Sequence, residues 1–271
     1  MSYAVLMVHL DGTPNSGKRA RLAVDLACRF QSALIGIAGR AYLPSFLADD
    51  AEAGEGDGEQ QEMTKLLADL EKRFHAAAKR VKQSEWRGSF DYTNDIVPLE
   101  ARAADLVIVG RRQSPGDLYF ALDPGMTILR AGRPVLVVPE ELESLAARRV
   151  VVAWKDTRES RRAVQDALPF LQDAEEVMIV EVREDGTEMH DRKRIDDVAD
   201  HLLRHKVVVG AKAFLHTEGK VASEILRFAK DEKADLIVAG AYGHTRLSEW
   251  IFGGVTRDLL ADSPICCLLS H

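Results

Sequence analysis

Gly240, Gly243, Gly253 and Gly254 form the most chemically informative spacing in the chain. They lie in the run Gly240-Ala241-Tyr242-Gly243 to Gly253-Gly254-Val255-Thr256, a Gly-x2-Gly-x9-Gly pattern. Glycine lets a chain turn sharply and lets backbone come close to a ligand. The N–H groups of Gly253 and Gly254, with the first turn of a helix starting there, would point at an anion and add the helix dipole to the attraction. Thr256 could add a hydroxyl nearby. Taken alone, the spacing fits a phosphate cradle and a set of tight turns equally well.

Other chemistry-bearing residues carry less. Gly12-x4-Gly17-Lys18 mimics a phosphate loop, but Arg19 stands where a magnesium-holding Ser or Thr would be, so a polar turn capping the first helix is expected. His201 and His205 share a helix face, as zinc ligands can, yet no Cys or carboxylate motif completes a set, and solvated helix histidines are expected. Cys266 and Cys267 are adjacent in a strand and face opposite ways, which suits small buried hydrophobes. No Ser-His-Asp order and no spaced carboxylate pair stands out, so no catalytic residue is named. Trp250 and Phe252 either cover a ligand or pack at an interface.

The elements that must hold these residues repeat. Ala104-Asp105-Leu106-Val107-Ile108-Val109-Gly110 returns as Ala234-Asp235-Leu236-Ile237-Val238-Ala239-Gly240, and Pro134-Val135-Leu136-Val137-Val138 returns as Pro264-Ile265-Cys266-Cys267-Leu268, both at an offset of 130 residues. Val5 to Asp11 and Arg149 to Asp156 each read as a strand ending in a turn, followed by amphipathic stretches Lys18 to Phe30 and Arg158 to Leu171. The chain is therefore a tandem duplication, residues 1–143 and 144–271, joined near Glu140 to Ala147. In the second half, apolar runs Val150–Trp154, Val177–Val182, Val207–Leu215, Leu236–Ala239 and Ile265–Leu269 alternate with helical periods Ser160–Leu171, Ile195–His205, Val221–Lys230 and Thr256–Ala261. Runs buried on both faces and separated by helices predict two α/β domains, each a five-stranded parallel sheet with helices on both faces. The first half adds a glycine-rich acidic insertion between Ala41 and Gln60, expected to be a mobile loop.

Composition sets the outer bounds. At about 150 residues per domain, 271 residues suit two domains. Thirty-six Lys and Arg against 43 Asp and Glu give a net charge of -7, which argues against a broad nucleic-acid footprint. Apolar runs fall far short of a membrane span. Met1-Ser2-Tyr3-Ala4-Val5-Leu6 lacks a basic leader, so no signal peptide is expected, and three cysteines fit a reducing cytoplasm.

The Gly-x2-Gly-x9-Gly loop, the Val255-Thr256-Arg257 run after it, the Asp235-Leu236-Ile237-Val238 strand before it, the Ser263-Pro264-Ile265 closing strand and the Val152-Ala153-Trp154 opening together resemble the universal stress protein family, as two family domains in tandem. Some members of that family bind ATP through the loop and others do not. The resemblance implies a Rossmann-like fold in which Gly240, Gly243, Gly253, Gly254, Val255 and Thr256 hold phosphates, and Ala153 and Val182 line the nucleoside. ATP, with magnesium, is the cofactor it implies. Two positions depart from the binding pattern. Nucleotide-binding members follow the third glycine with Ser or Thr, where this chain has Gly254. They also end the first strand in Asp, where this chain has Lys155, with Asp156 next to it. The first half keeps the acid, Asp11, but carries Gln113, Asp123 and Pro124 at the loop glycines. Pro124 offers no N–H and Asp123 repels phosphate, so this half is expected not to bind nucleotide in the family manner. Arg111 and Arg112 could attract an anion or simply be solvated.

The family also pairs its last strands antiparallel. The expected assembly is pairing of the two domains through Pro134–Val138 and Pro264–Leu268 within one chain, with a further homodimer open. The expected role is cytoplasmic stress-response regulation, with ATP or a related nucleotide bound in the second half. The alternatives are a nucleotide-free interaction scaffold with a vestigial or repurposed pocket and, third, a slow ATP hydrolase. Nucleic acid and membrane are not expected partners.

Overall fold

The computed structural model describes residues 2–41, 55–111, 121–184, 192–217, 219–243 and 254–271. In chain order the elements are β1 (Val5–His9), α1 (Pro14–Phe30), β2 (Ala33–Gly39), α2 (Glu55–Ala77), β3 (Ser84–Ser89), α3 (Thr93–Glu100), β4 (Leu106–Gly110), α4 (Pro124–Arg130) and β5 (Val135–Val138). They continue as β6 (Arg149–Ala153), α5 (Arg158–Asp166), α6 (Leu168–Asp173), β7 (Glu176–Glu184), α7 (Arg192–Arg204), β8 (Val209–Thr217), α8 (Val221–Asp231), β9 (Leu236–Gly240), α9 (Gly254–Asp262) and β10 (Cys266–Ser270).

The chain forms two compact units, one built on Tyr3–Ala131 with Glu140–Ser144, the other on Leu145–His271 with Gly132–Pro139. The first unit holds four parallel strands in the order β3-β2-β1-β4. In the second, the order β10-β9-β6-β7-β8 is parallel throughout. Four consecutive buried residues in β1, β4 and β9 mean that both faces of the sheets are covered, which accounts for their uninterrupted apolar sequences. The α/β class read from the sequence is the class observed.

The fifth strand of the first half has a different home. β5 belongs to the second unit, where it runs antiparallel beside β10 with Val137 opposite Cys267 and Val135 opposite Leu269. All four of its residues are buried. An apolar strand of this kind needs a partner edge for its backbone groups, and β10 supplies one.

Two local differences have simple causes. The periodic stretch Ser160–Leu171 is two helices rather than one, because Pro169 has no N–H to give to the carbonyl four residues back. The acidic insertion is helical from Glu55 onward as the start of α2, whereas residues 42–54 lie outside the described residues. No described helix is long and apolar enough to cross a membrane.

Candidate functional site

The sheet of the second unit reverses its winding between β6 and β9. From β6 the chain proceeds outward to β7 and β8, and from β9 it goes the other way to β10. The carboxyl ends of these two neighbours part there, the place where open α/β sheets take ligands. Ala153 ends β6 and pairs with Ala239, one residue before Gly240. Val182 lies farther out, on β7, two positions past Val180, the other register partner of Ala153. The sequence therefore brings Ala153 and Gly240 together and leaves Val182 one strand away.

The loop after β9 is anchored at several points. Ala241 N–H donates to Ser270 O at 2.8 Å, and the Ala241 carbonyl lies 3.1 Å from Nδ1 of His271. Tyr242 sits in the left-handed region with φ of 59° and donates its N–H to Oγ1 of Thr256 at 3.3 Å. That bond ties the first turn of the loop to the first turn of α9, fourteen residues on. A hydroxyl that accepts there still has a hydrogen to donate. Thr256 is buried, Val255 is half-buried, and, chain neighbours and the backbone of α9 apart, no atom of the described residues lies within 4 Å of where a Cβ on Gly254 would be. Gly253, Trp250 and Phe252 lie outside the described residues.

Helix α5 closes the other side. A Cβ on Gly240 would fall on the backbone N of Ser160, and would be 2.6 Å from the carbonyl carbon of Glu159. Gly240 is thus what lets the start of α5 approach the end of β9. Thr157 caps α5, its hydroxyl accepting from Ser160 N at 3.3 Å. Glu159, two residues on, is a buried carboxylate paired with Arg158, and sequence reasoning had not singled it out. A Cβ on Gly243 would meet its Oε2 at 2.9 Å and the Thr157 hydroxyl at 3.4 Å. Burial pushes the Glu159 carboxyl up, but hydrogen bonds from Arg158, its own N–H and Thr157 outweigh this and hold it below the usual range.

Asp156 is the acid next to Lys155. It accepts from Nη2 of Arg161 at 2.9 Å and lines a separate cleft of about 460 Å³ between α5 and α7, with Trp154, Val164 and His201 among its walls. Among the described residues, Gly240, Gly243, Gly254 and Thr256 are not among its walls.

In the first unit the equivalent place is filled by the protein's own ions. Arg19 is 4% exposed. Its Nε donates to the His9 carbonyl and its Nη2 to Oδ2 of Asp11, both at 2.8 Å. Its Nη1 occupies the space that a side chain on Gly110 would need. At α4 the Asp123 carboxylate accepts from Gly125 N at 2.8 Å and from Met126 N at 3.2 Å, so amides that might hold a phosphate hold a carboxylate. Gln113 and Arg112 lie outside the described residues. Gly17 is inside α1 rather than in a loop, and Asp11 accepts from the N–H and hydroxyl of Thr13, which makes the segment that mimics a phosphate loop a turn leading into the helix.

The remaining candidates resolve locally. The rings of His201 and His205 meet edge to face at 4.7 Å, and among the described residues no group of three or more His, Cys, Asp or Glu could hold a metal. Cys266 and Cys267 are buried, and burial pushes the Cys266 thiol far up.

Residues 146–271 match the model of the universal stress protein family. The chain is similar in fold to a universal stress protein from Archaeoglobus fulgidus DSM 4304, with 16% identity, a TM-score of 0.71, and coverage of 98% of this chain and 95% of that one. It is also similar to a functionally unknown protein from Pseudomonas aeruginosa PAO1, with 14% identity, a TM-score of 0.59, and coverage of 99% and 92%. No curated protein matches the chain.

Proposed function

With residues 146–271 a universal stress protein domain, we propose that this chain is a stress-response regulatory protein whose second half binds ATP or a related nucleotide, acting by binding rather than by turnover. The observation that carries this reading is the place of Ala153 beside the strand end that leads into Gly240, at the switch point between β6 and β9, with the loop after Gly240 held to α9 by the Tyr242–Thr256 bond. The Gly254 N–H and the Thr256 hydroxyl would face the phosphate side, and Ala153 the nucleoside side. A nucleotide bound there would supply a signal of cellular energy state rather than a reacting group. The Lys155 ammonium suits a phosphate and the Glu159 carboxylate opposes one, and among the described residues no group of three or more His, Cys, Asp or Glu could hold a metal.

The first unit serves in this proposal as a nucleotide-free scaffold, which the Arg19–Asp11 pair and the Asp123 cap favour. In this proposal the protein works in the cytoplasm. Denaturing freshly purified protein and measuring nucleotide absorbance in the supernatant tests the central claim, as does thermal unfolding with added nucleotide. Ligand at 100 times its Kd adds about 2.7 kcal/mol to stability. Absence of both co-purified nucleotide and a thermal shift at millimolar adenosine, AMP or ATP would leave only the scaffold.

A further inference from the structure

One peptide group at the switch point is held at both ends. The Ala241 carbonyl and the Tyr242 N–H belong to the same planar unit, and in a trans peptide they point opposite ways. The carbonyl lies 3.1 Å from Nδ1 of His271, just past β10, and the N–H donates to Oγ1 of Thr256 in α9 at 3.3 Å. A carbonyl oxygen only accepts, so Nδ1 of His271 carries the hydrogen of that bond. The imidazole also meets the Tyr242 ring edge to face, with centroids 6.4 Å apart. The Ala241 N–H goes to Ser270 O at 2.8 Å, continuing the ladder in which Ser270 pairs with Gly240.

Two holders matter because the next torsion is unfavourable. Tyr242 has φ of 59°, a left-handed conformation that costs free energy in a residue with a side chain. Turning the 241–242 peptide over would relieve that torsion and would break both bonds at once. Ala241 is fully buried, so a carbonyl released by His271 finds no water in its place unless the loop moves. We infer that His271 is a positioning residue for the glycine loop. With Thr256 it fixes the 241–242 peptide, and so sets the path by which the chain leaves β9 beside the end of β6. The bond at one end of the peptide is thereby felt at the other. For its ligand the inference rests on the nucleotide-binding reading above; for loop order it does not.

Nitrogen NMR of the full chain, at a pH where the imidazole is neutral, reads the tautomer of His271. The Nδ1–H form is expected, and a ring that carries its hydrogen on Nε2 overturns the inference without any variant. Amide exchange at Tyr242 tests the coupling. His271→Phe keeps a ring against Tyr242 and removes the donor, whereas His271→Asn keeps an N–H in the place of Nδ1. Exchange at Tyr242 should quicken about tenfold or more in His271→Phe and stay within about threefold of wild type in His271→Asn. Unchanged exchange in His271→Phe, or equal quickening in both variants, overturns the inference. Adenosine titrated calorimetrically should bind about tenfold more weakly to His271→Phe, with recovery in His271→Asn. Equal adenosine affinity in all three proteins overturns the step from loop order to binding. Adenosine that binds none of them removes the nucleotide reading, while tautomer and exchange still decide the role of His271.

Discussion

Nη2 of Arg19 donates to Oδ2 of Asp11 across 2.8 Å, joining the first helix to the end of the first strand through a guanidinium that is almost wholly buried. The same guanidinium lies where a side chain on Gly110 would be. Asp11 is thus spent on an internal ion pair.

Removing one side of that pair should cost more than a surface pair would. Arg19→Leu leaves Asp11 without its buried partner and the His9 carbonyl without its donor. The expected loss is about 3 kcal/mol of unfolding free energy, read from urea denaturation. The double variant Arg19→Leu, Asp11→Asn should recover part of it, because no buried charge is then left alone. A single variant within about 0.5 kcal/mol of wild type would show that the pair is screened.

His9 supplies a pH signature in the same place. Burial lowers its pKa to about 4; Asp11 raises it and Arg19 lowers it further. The folded group stays neutral between pH 6.5 and about 4 while the unfolded group takes up a proton, so stability falls as pH drops through that window and the contribution levels off below it. The full effect is about 3 kcal/mol. Urea midpoints from pH 7 to pH 4 should decline more steeply in wild type than in His9→Gln. Parallel curves would mean that His9 titrates normally in the folded protein.

The α/β class and the parallel strands were legible because period and apolar run length are local properties of sequence. Gly240 was legible as a ligand position from its place at a strand end of an α/β sheet, whereas Ala153 was named only by the family resemblance. Arg19 and Glu159 were not legible. Each lies in a first helical turn or just beyond it, where a charged residue is normally solvated, and each becomes significant only through a glycine about ninety residues away in sequence, at Gly110 and Gly243. Nothing in local pattern marks which side of a helix will be pressed against a bare Cα. The antiparallel meeting of β5 with β10 was expected, but only from the family resemblance, because nothing in local pattern says which edge an apolar strand meets.

Gly240 and Gly254 should separate two roles that glycine plays in the loop. A methyl on Gly240 collides with the backbone of Ser160 and Glu159, which cannot swing aside as a flexible side chain could. Gly240→Ala is expected to lose about 1–3 kcal/mol or more from overpacking. Among the described residues a methyl on Gly254 meets nothing beyond its own helix and neighbours, and alanine suits the start of α9. Gly254→Ala should keep wild-type stability within about 0.5 kcal/mol. Equal losses in the two variants, measured by thermal unfolding, would contradict the packing described for α5 and β9.

Thr256 holds the loop in place whether or not a ligand is bound. Its hydroxyl accepts the Tyr242 N–H, and Tyr242 keeps a left-handed backbone that an L side chain adopts only under constraint. Thr256→Val preserves shape and removes the acceptor. An unsatisfied, partly buried N–H costs about 1–3 kcal/mol, and the strained turn gives the loop a way to relieve it by opening. Amide hydrogen exchange over residues 241–243 should therefore quicken by about tenfold or more, while exchange in the strand residues of β9 changes little. Nucleotide affinity should fall along with loop order, since an opened loop must be reordered on binding. If exchange at Tyr242 is the same in both proteins, the bond does not hold the loop, and the switch-point site loses the tie that links its two ends.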